Sequence, residues 1–153
     1  LAQLVNKHVT LMNTMTNEIL DVAGVKKKFE VGPERIIDYL ALMGDKSDNI
    51  PGVPSVGPKT AARWLNEYDS LEGLTKNADT IKGKVGEKFR EHLEQLPLAC
   101  ELTAIRCNLD LGLTVDDLKI QSPDPHLLQK LYTELEFKTI ESFLSVFINA
   151  GSV

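Results

Sequence analysis

The chain has 153 residues, of which 42% are apolar, so it is long enough and hydrophobic enough to fold around a core. Its net charge of −5 argues against a protein that binds nucleic acid through a generally basic surface, and its two cysteines are too few for a disulfide framework. No run of about 18 apolar residues is present, which excludes a membrane-spanning helix. The chain begins at leucine without a signal peptide, so we expect a piece of a longer protein, without membrane contact and with the cytoplasm as its default location.

The predicted elements are mostly helical. Residues 9–13 are β-branched and apolar, which predicts a short strand, and Val22 to Phe29 predicts a short helix. Gly32-Pro33 opens a second helix, which Gly44 ends. Pro58 opens a third, with Trp64 at a core position.

The second half of the chain begins with a turn-rich section from Tyr68 to Lys84. A long helix is predicted from about Gly86, and Pro97 should kink or split it. Asp124-Pro125 predicts the start of another helix, and a last helix is predicted from Thr139. The helix after Asp124 is expected to bury a stripe formed by Leu127, Leu128, Leu131, Tyr132 and Leu135.

Two carboxylates, Asp45 and Asp48, follow the end of the second helix. At spacing i, i+3 on a helix end they can face one point, and Mg²⁺ is commonly held by one or two carboxylates plus waters. This pair is therefore a candidate metal site. The alternative is that Asp48 caps a turn and Asp45 is solvated, because Asp-x-x-Asp is a common pattern.

A more specific motif lies directly after this pair. Residues 53–61 read Val-Pro-Ser-Val-Gly-Pro-Lys-Thr-Ala, a hydrophobic–turn–hydrophobic–Gly pattern that runs into a helix and is the signature of a helix-hairpin-helix. The free N–H groups at the helix start can bind a nucleic-acid phosphate with the support of the helix dipole. The alternative is an ordinary Pro/Gly loop. The predicted DNA-contacting residues are Val53, Ser55, Val56, Gly57, Lys59 and Thr60.

Ser55 departs from this motif, which usually has glycine at that position. If the turn requires a positive φ, Ser55 is strained, and Ser55→Gly is expected to be tolerated or to tighten binding. A second glycine turn, Gly83 to Gly86, is flanked by basic residues and is a candidate second backbone contact. Its candidate DNA-binding side chains are Lys84, Lys88 and Arg90. A solvated charged helix face is an equally good interpretation, since glutamates are interleaved with them.

Residues 36–53, Ile-Ile-Asp-Tyr-Leu-Ala-Leu-Met-Gly-Asp-Lys-Ser-Asp-Asn-Ile-Pro-Gly-Val, closely resemble the 5′ nuclease domain of bacterial DNA polymerase I, a member of the flap endonuclease family. The similarity extends over nearly the whole chain. It implies a mainly α fold: a helix-hairpin-helix (helix-three-turn-helix, SAM-like) C-terminal subdomain over residues 31–150. Residues 1–30 would be a remnant of the α/β (PIN-like) catalytic subdomain.

The resemblance also implies a function. The family cuts DNA at 5′ flaps and nicks with two metal ions, and Asp45 and Asp48 match carboxylates that hold the second Mg²⁺. Residues 53–61 match the segment that grips duplex DNA, with K⁺ possible at the hairpin. The family's other metal carboxylates would lie in the rest of the parent chain, so no catalytic set is complete here and the chain alone is expected to be inactive. A bacterial cytoplasmic location is implied.

Two other function classes remain open at this point. The chain could be a non-catalytic DNA-binding module that uses the hairpin alone, or a protein-interaction domain in which the two aspartates merely cap turns. Cleavage of a flap substrate by the parent chain distinguishes a nuclease from the module, and absence of any DNA binding would favour the interaction domain.

Overall fold

The structure, a computed structural model, describes residues 1–120 and 122–137. The chain divides into two compact units, Leu1–Cys107 and Asn108–Val153. The first unit contains the segment 1–30 together with most of the predicted helical subdomain. A functional boundary at residue 30 stays a prediction.

The first unit begins with a 3-10 turn over Ala2–Leu4, followed by a two-stranded antiparallel hairpin. Strand β1 (Leu11–Asn13) pairs with β2 (Glu18–Leu20), with Leu11 opposite Leu20. The first strand was predicted, and its partner β2 was not. The partner is local because the Asn13 side chain accepts hydrogen bonds from the amides of residues 15 and 16 and starts a tight turn.

Helices α1 (Val22–Phe29) and α2 (Ile36–Met43) confirm their predictions. The Asp21 carboxylate caps α1 by accepting a hydrogen bond from the Gly24 amide at 2.7 Å. A 3-10 turn, Pro33–Arg35, leads into α2. Gly44 follows the end of α2 with φ +80°, a conformation that glycine adopts without strain.

Four more helices complete the first unit: α3 (Pro58–Tyr68), α4 (Leu71–Lys76), α5 (Gly83–Glu91) and α6 (Leu96–Thr103). The predicted start of α3 and the split at Pro97 are confirmed, since Pro97 lies in the first turn of α6 after a short 3-10 turn. The section from Tyr68 to Lys84, predicted to be rich in turns, also contains a helix that was not predicted. Ser70 caps α4 there, its hydroxyl accepting from the Gly73 amide.

The core of the first unit lies around α2, which packs against α3 and α6. Trp64 of α3 and Phe89 of α5 meet edge-to-face with ring centroids 5.4 Å apart. Both are core residues, which was predicted for Trp64. Phe89 is completely buried, and burying a side chain of this size contributes about 1.5–3 kcal/mol. The Trp64–Phe89 contact therefore ties α5 to α3, the helix that follows the predicted hairpin.

The second unit contains a 3-10 turn, Val115–Leu118, and helix α7 (Pro125–Glu134). Asp124 caps α7 as predicted, accepting from the amides of residues 126 and 127. The predicted buried stripe is wrong: Leu127, Leu131 and Leu135 are exposed, and Leu128 and Tyr132 are only half-buried. The amphipathic pattern marks an apolar face, but helix periodicity does not supply a packing partner. The helix predicted from Thr139 lies outside the described residues.

In the part of the chain that the structure describes, every helix is too short or too polar to cross a membrane.

Candidate nucleic-acid interface

The loop between α2 and the hairpin is closed by direct contact between two glycines. A Cβ on Gly52 would lie 2.2 Å from the carbonyl carbon of Met43, and one on Gly44 would lie 2.5 Å from the Gly52 nitrogen. Both atoms belong to the backbone, so neither can rotate away as the end of a side chain could. The Val53 amide then donates to the Leu42 carbonyl at 2.8 Å. The loop 44–52 therefore leaves and rejoins the same end of α2.

The two candidate metal carboxylates lie in this loop. Asp45 and Ile50 exchange backbone hydrogen bonds of 2.9 and 2.8 Å, and the Asp45 side chain accepts from the Ser47 amide at 2.9 Å. Asp45 is half-buried and Asp48 is exposed. The sequence predicted that the two carboxylates lie together at the end of a helix. This is wrong, because α2 already ends at Met43. Their relation is set by the loop instead.

The carboxylate oxygens of this loop are ligands that suit a hard divalent cation, but they form only part of a metal site. Asp48 makes no hydrogen bond or ion pair with any described residue, and only one Asp45 oxygen is engaged. The loop lines an open cleft of about 590 Å³ that also includes Lys46 and Asn49. Within residues 1–120 and 122–137, no group of three or more acidic, histidine or cysteine side chains is placed to hold a metal ion. Two carboxylates alone make a partial site.

The predicted hairpin is present. Val53 and Val56 are buried anchors, and the Val56 amide donates to the Val53 carbonyl at 3.0 Å. Between them Ser55 is exposed and adopts φ +69°. The left-handed conformation that the motif reserves for glycine is thus adopted by a serine, at a cost on the order of 1–2 kcal/mol. This confirms the expectation that Ser55 is strained.

Helix α3 begins directly after the turn with unpaired amides. The Gly57 carbonyl accepts from the amides of Thr60 and Ala61, both at 3.0 Å. In contrast, the amides of Ser55, Gly57 and Lys59 find no acceptor among the described residues. Gly57 has open space where a Cβ would be, so its backbone can be approached closely from outside. Lys59 is exposed and Thr60 half-exposed beside these amides.

The second glycine turn has a different construction from the hairpin. Gly86 lies inside α5 and is buried, and a Cβ on it would lie 2.1 Å from the Ile81 carbonyl oxygen. Glycine is needed at this position because a side chain would clash with the Ile81 backbone, and not because DNA must approach it. Gly83, at φ +83°, begins α5 with open space around it. Lys84 is exposed next to it.

The structure separates the remaining basic candidates. The ammonium of Lys88 donates to the Ser55 hydroxyl at 3.0 Å, which places Lys88 at the hairpin turn. Arg90 instead donates from one guanidinium nitrogen to the carbonyls of Ala78 and Ile81, at 2.8 and 3.1 Å. Arg90 therefore holds the turn that precedes α5, a role that the sequence did not indicate.

Comparison with known proteins identifies the family to which this chain is similar. Residues 31–126 match the family model described as 5′-3′ exonuclease, C-terminal SAM fold. The chain is 49% identical over 146 residues to the DNA polymerase I of Pseudomonas aeruginosa, covering 90% of this chain and 16% of that protein. It is 41% identical over 140 residues to the 5′-3′ exonuclease of Aquifex aeolicus, covering 92% and 47% respectively. The chain thus spans less than half the length of these relatives.

Two solved structures share the fold. The 5′-exonuclease of bacteriophage T5 with bound zinc has a TM-score of 0.59 at 23% identity, covering 66% of this chain and 38% of that one. The bacteriophage T5 flap endonuclease in a pseudo-enzyme-product complex with DNA and metal ions has a TM-score of 0.60 at 18% identity. That match covers 97% of this chain and 48% of the phage protein.

Proposed function

Because this chain belongs to the 5′-3′ exonuclease family with a C-terminal SAM fold, we propose that it is the DNA-gripping portion of a 5′ nuclease of the DNA polymerase I type. Its substrate class is duplex DNA that carries a 5′ flap or a nick. The hairpin holds the duplex strand, and the loop that contains Asp45 and Asp48 supplies part of one Mg²⁺ site. The remaining ligands come from other parts of the parent protein.

The observation that carries this proposal is the set of unpaired amides in the hairpin turn and the first turn of α3. Ser55, Gly57 and Lys59 present N–H groups without a protein acceptor in the described part of the chain. Ser55 lies in the hairpin turn, whereas Gly57 caps α3 and Lys59 lies in its first turn. At a helix N-terminus the macrodipole amounts to roughly half a positive charge, so a phosphate oxygen is the natural acceptor there. Contacts of this kind position a protein on DNA without reading its bases.

Cations have two places in the proposal. A bound Mg²⁺ would stabilise negative charge that develops on phosphate oxygens and lower the pKa of a coordinated water. Asp45 and Asp48 would contribute carboxylate oxygens to it, with the Ser47 amide fixing the Asp45 side chain. Carbonyl oxygens of the turn between Val53 and Gly57 would hold K⁺ at the hairpin, and the ion would supply positive charge next to a bound phosphate.

The DNA-binding part is tested by fluorescence anisotropy with two unrelated duplexes and a 5′-flap duplex, over a salt series in K⁺ and in Na⁺. We expect non-specific affinity on the order of 10⁻⁴–10⁻⁶ M, a steep salt dependence, and a slope that is flatter by about one unit in Lys59→Ala. Lys76→Ala is the matched control, since Lys76 is paired with Glu72 on α4. A strong preference for one sequence, or no effect of Lys59→Ala, would refute the role of the hairpin.

The metal part is tested by titrating Mn²⁺, a paramagnetic substitute for Mg²⁺, while amide NMR signals are recorded. We expect weak binding that broadens the signals of residues 44–50 first, because two carboxylates do not form a closed cage. Asp45→Asn with Asp48→Asn should abolish this broadening. Equal broadening in that double variant would exclude the loop as a metal site.

A non-catalytic DNA-binding module is the second candidate, because the unpaired amides of the hairpin can bind a phosphate without any metal site. Mg²⁺-dependent cleavage of a 5′-flap duplex by the parent protein, lost in Asp45→Ala, decides for the nuclease. DNA binding without such cleavage decides for the module.

A further inference from the structure

The hydrogen bond between Lys88 and Ser55 joins two elements that are 33 residues apart in the chain. Lys88 is half-buried on α5, next to the fully buried Phe89, so its aliphatic stem starts from a fixed point. Its ammonium reaches the exposed turn of the hairpin and ends 3.0 Å from the Ser55 hydroxyl. No carboxylate of the described residues forms an ion pair with Lys88. Its charge is therefore left for an external partner.

Both groups keep hydrogen-bonding capacity after they meet. An ammonium has three donors, and Ser55 uses one of them. A hydroxyl that accepts from an ammonium still has its own hydrogen to donate. The Lys88 ammonium, the Ser55 hydroxyl and the nearby unpaired amide of Gly57 are all donors, which matches the acceptor-only oxygens of a phosphate.

We infer that Ser55 is a positioning residue: its hydroxyl holds the Lys88 ammonium at the hairpin so that the lysine contacts the same strand of DNA that the amides of α3 bind. This inference rests on the proposed function. It assigns a reason to the serine at a strained position, because the left-handed backbone turns the hydroxyl toward α5 at a cost that glycine would avoid.

The contact reverses what the sequence alone suggests for Ser55→Gly. Relief of strain predicts unchanged or tighter DNA binding. Loss of the hydroxyl releases a flexible lysine side chain, and fixing such a side chain again on binding costs conformational entropy. Ser55→Gly should therefore weaken DNA binding although it does not harm the fold.

The test is a double-mutant cycle of Ser55→Gly and Lys88→Met, measured by fluorescence anisotropy with one duplex from about 0.05 to 0.3 M salt. Lys88→Met should weaken binding about five-fold at 0.15 M salt and flatten the log–log slope by about 0.9. Ser55→Gly should weaken binding by about two- to five-fold, and by less than about 1.5-fold once Lys88 is methionine. Ser55→Asn should restore most of the loss, because asparagine tolerates a positive φ and its amide oxygen can accept from Lys88.

Lys76→Met is the matched control for loss of one lysine charge, and thermal unfolding of each variant shows that the fold is kept. Equal or tighter binding by Ser55→Gly, or additive effects of the two substitutions, would overturn the inference while leaving the hairpin proposal intact. If the unsubstituted chain binds no duplex, or Lys59→Ala changes nothing, the proposed function fails and this inference fails with it.

Discussion

Gly52→Ala should open the loop that contains the two aspartates. The added Cβ would lie 2.2 Å from the Met43 carbonyl carbon and 2.4 Å from the Gly44 nitrogen. Ordinary van der Waals contact begins near 3.4 Å, so the backbones must separate by about 1 Å or more. Such a shift breaks or lengthens the 2.8 Å bond from the Val53 amide to the Leu42 carbonyl, because Val53 is the next residue.

The cost can be worked out from these contacts. Overpacking of a tight site costs about 1–3 kcal/mol, and a weakened backbone hydrogen bond adds about 1 kcal/mol. We therefore expect Gly52→Ala to lower the free energy of unfolding by about 3 kcal/mol. With a urea m-value of about 2 kcal/mol per molar, the midpoint should fall by about 1.5 M.

Urea unfolding followed by tryptophan fluorescence measures this change, because Trp64 is the chain's one tryptophan and is buried in the first unit. Gly57→Ala is the matched control: a Cβ there meets nothing within 4 Å, and we expect a change below about 0.5 kcal/mol. A midpoint for Gly52→Ala within about 0.3 M of the unsubstituted chain would refute the argument. An equal fall in Gly57→Ala would refute it as well.

Three further results are expected. Phe89→Leu should cost about 2 kcal/mol, from the lost edge-to-face contact with Trp64 and the residual cavity, and urea unfolding measures it. Arg90→Met should cost about 2 kcal/mol by removing two charged hydrogen bonds, yet change the DNA salt slope less than Lys59→Ala does. The pKa of the Cys100 thiol is raised above its ordinary value of 9.0, mainly by burial and to a smaller extent by the negative charge of Asp38. A disulfide reagent at pH 8 should therefore label the exposed Cys107 first. Because the folded state favours the protonated Cys100, its contribution to stability is present below pH 9.0 and is lost as the pH rises through the raised pKa. Equal labelling rates for the two thiols would contradict this assignment.

Elements with a strong local signal could be predicted from the sequence. Pro58 and Asp124 start helices and Gly44 ends one, because each acts on the backbone within a turn of itself. Helix α4 was missed because it has six residues and includes Gly73, so neither its period nor its propensity stands out from a turn. The hairpin and its strained serine were readable because the motif itself requires a left-handed residue.

The parts that could not be predicted depend on distant contacts. Nothing near Ser55 indicates that Lys88 donates to it, since the two are 33 residues apart. The opposing contact of Gly52 with Met43 exists only once the loop has returned to α2. The sequence period places Leu131 on the apolar face of α7. Whether that face is buried depends on contacts with other segments, which the period does not specify, and Leu131 is exposed.

The return of the loop to α2 fixes the distance between the carboxylate loop and the hairpin. The carboxylate loop and the hairpin are both fastened to the last turn of one helix, through the Gly44–Gly52 contact and the Val53–Leu42 bond. Neither can slide relative to the other without breaking these contacts. If the proposed function is correct, we expect this junction to fix the distance between the hairpin and the carboxylate loop, so that the number of nucleotides between the bound phosphates and the cut bond is the same for every DNA sequence. A residue inserted between Gly52 and Val53 would change that length, and the cut site would move with it.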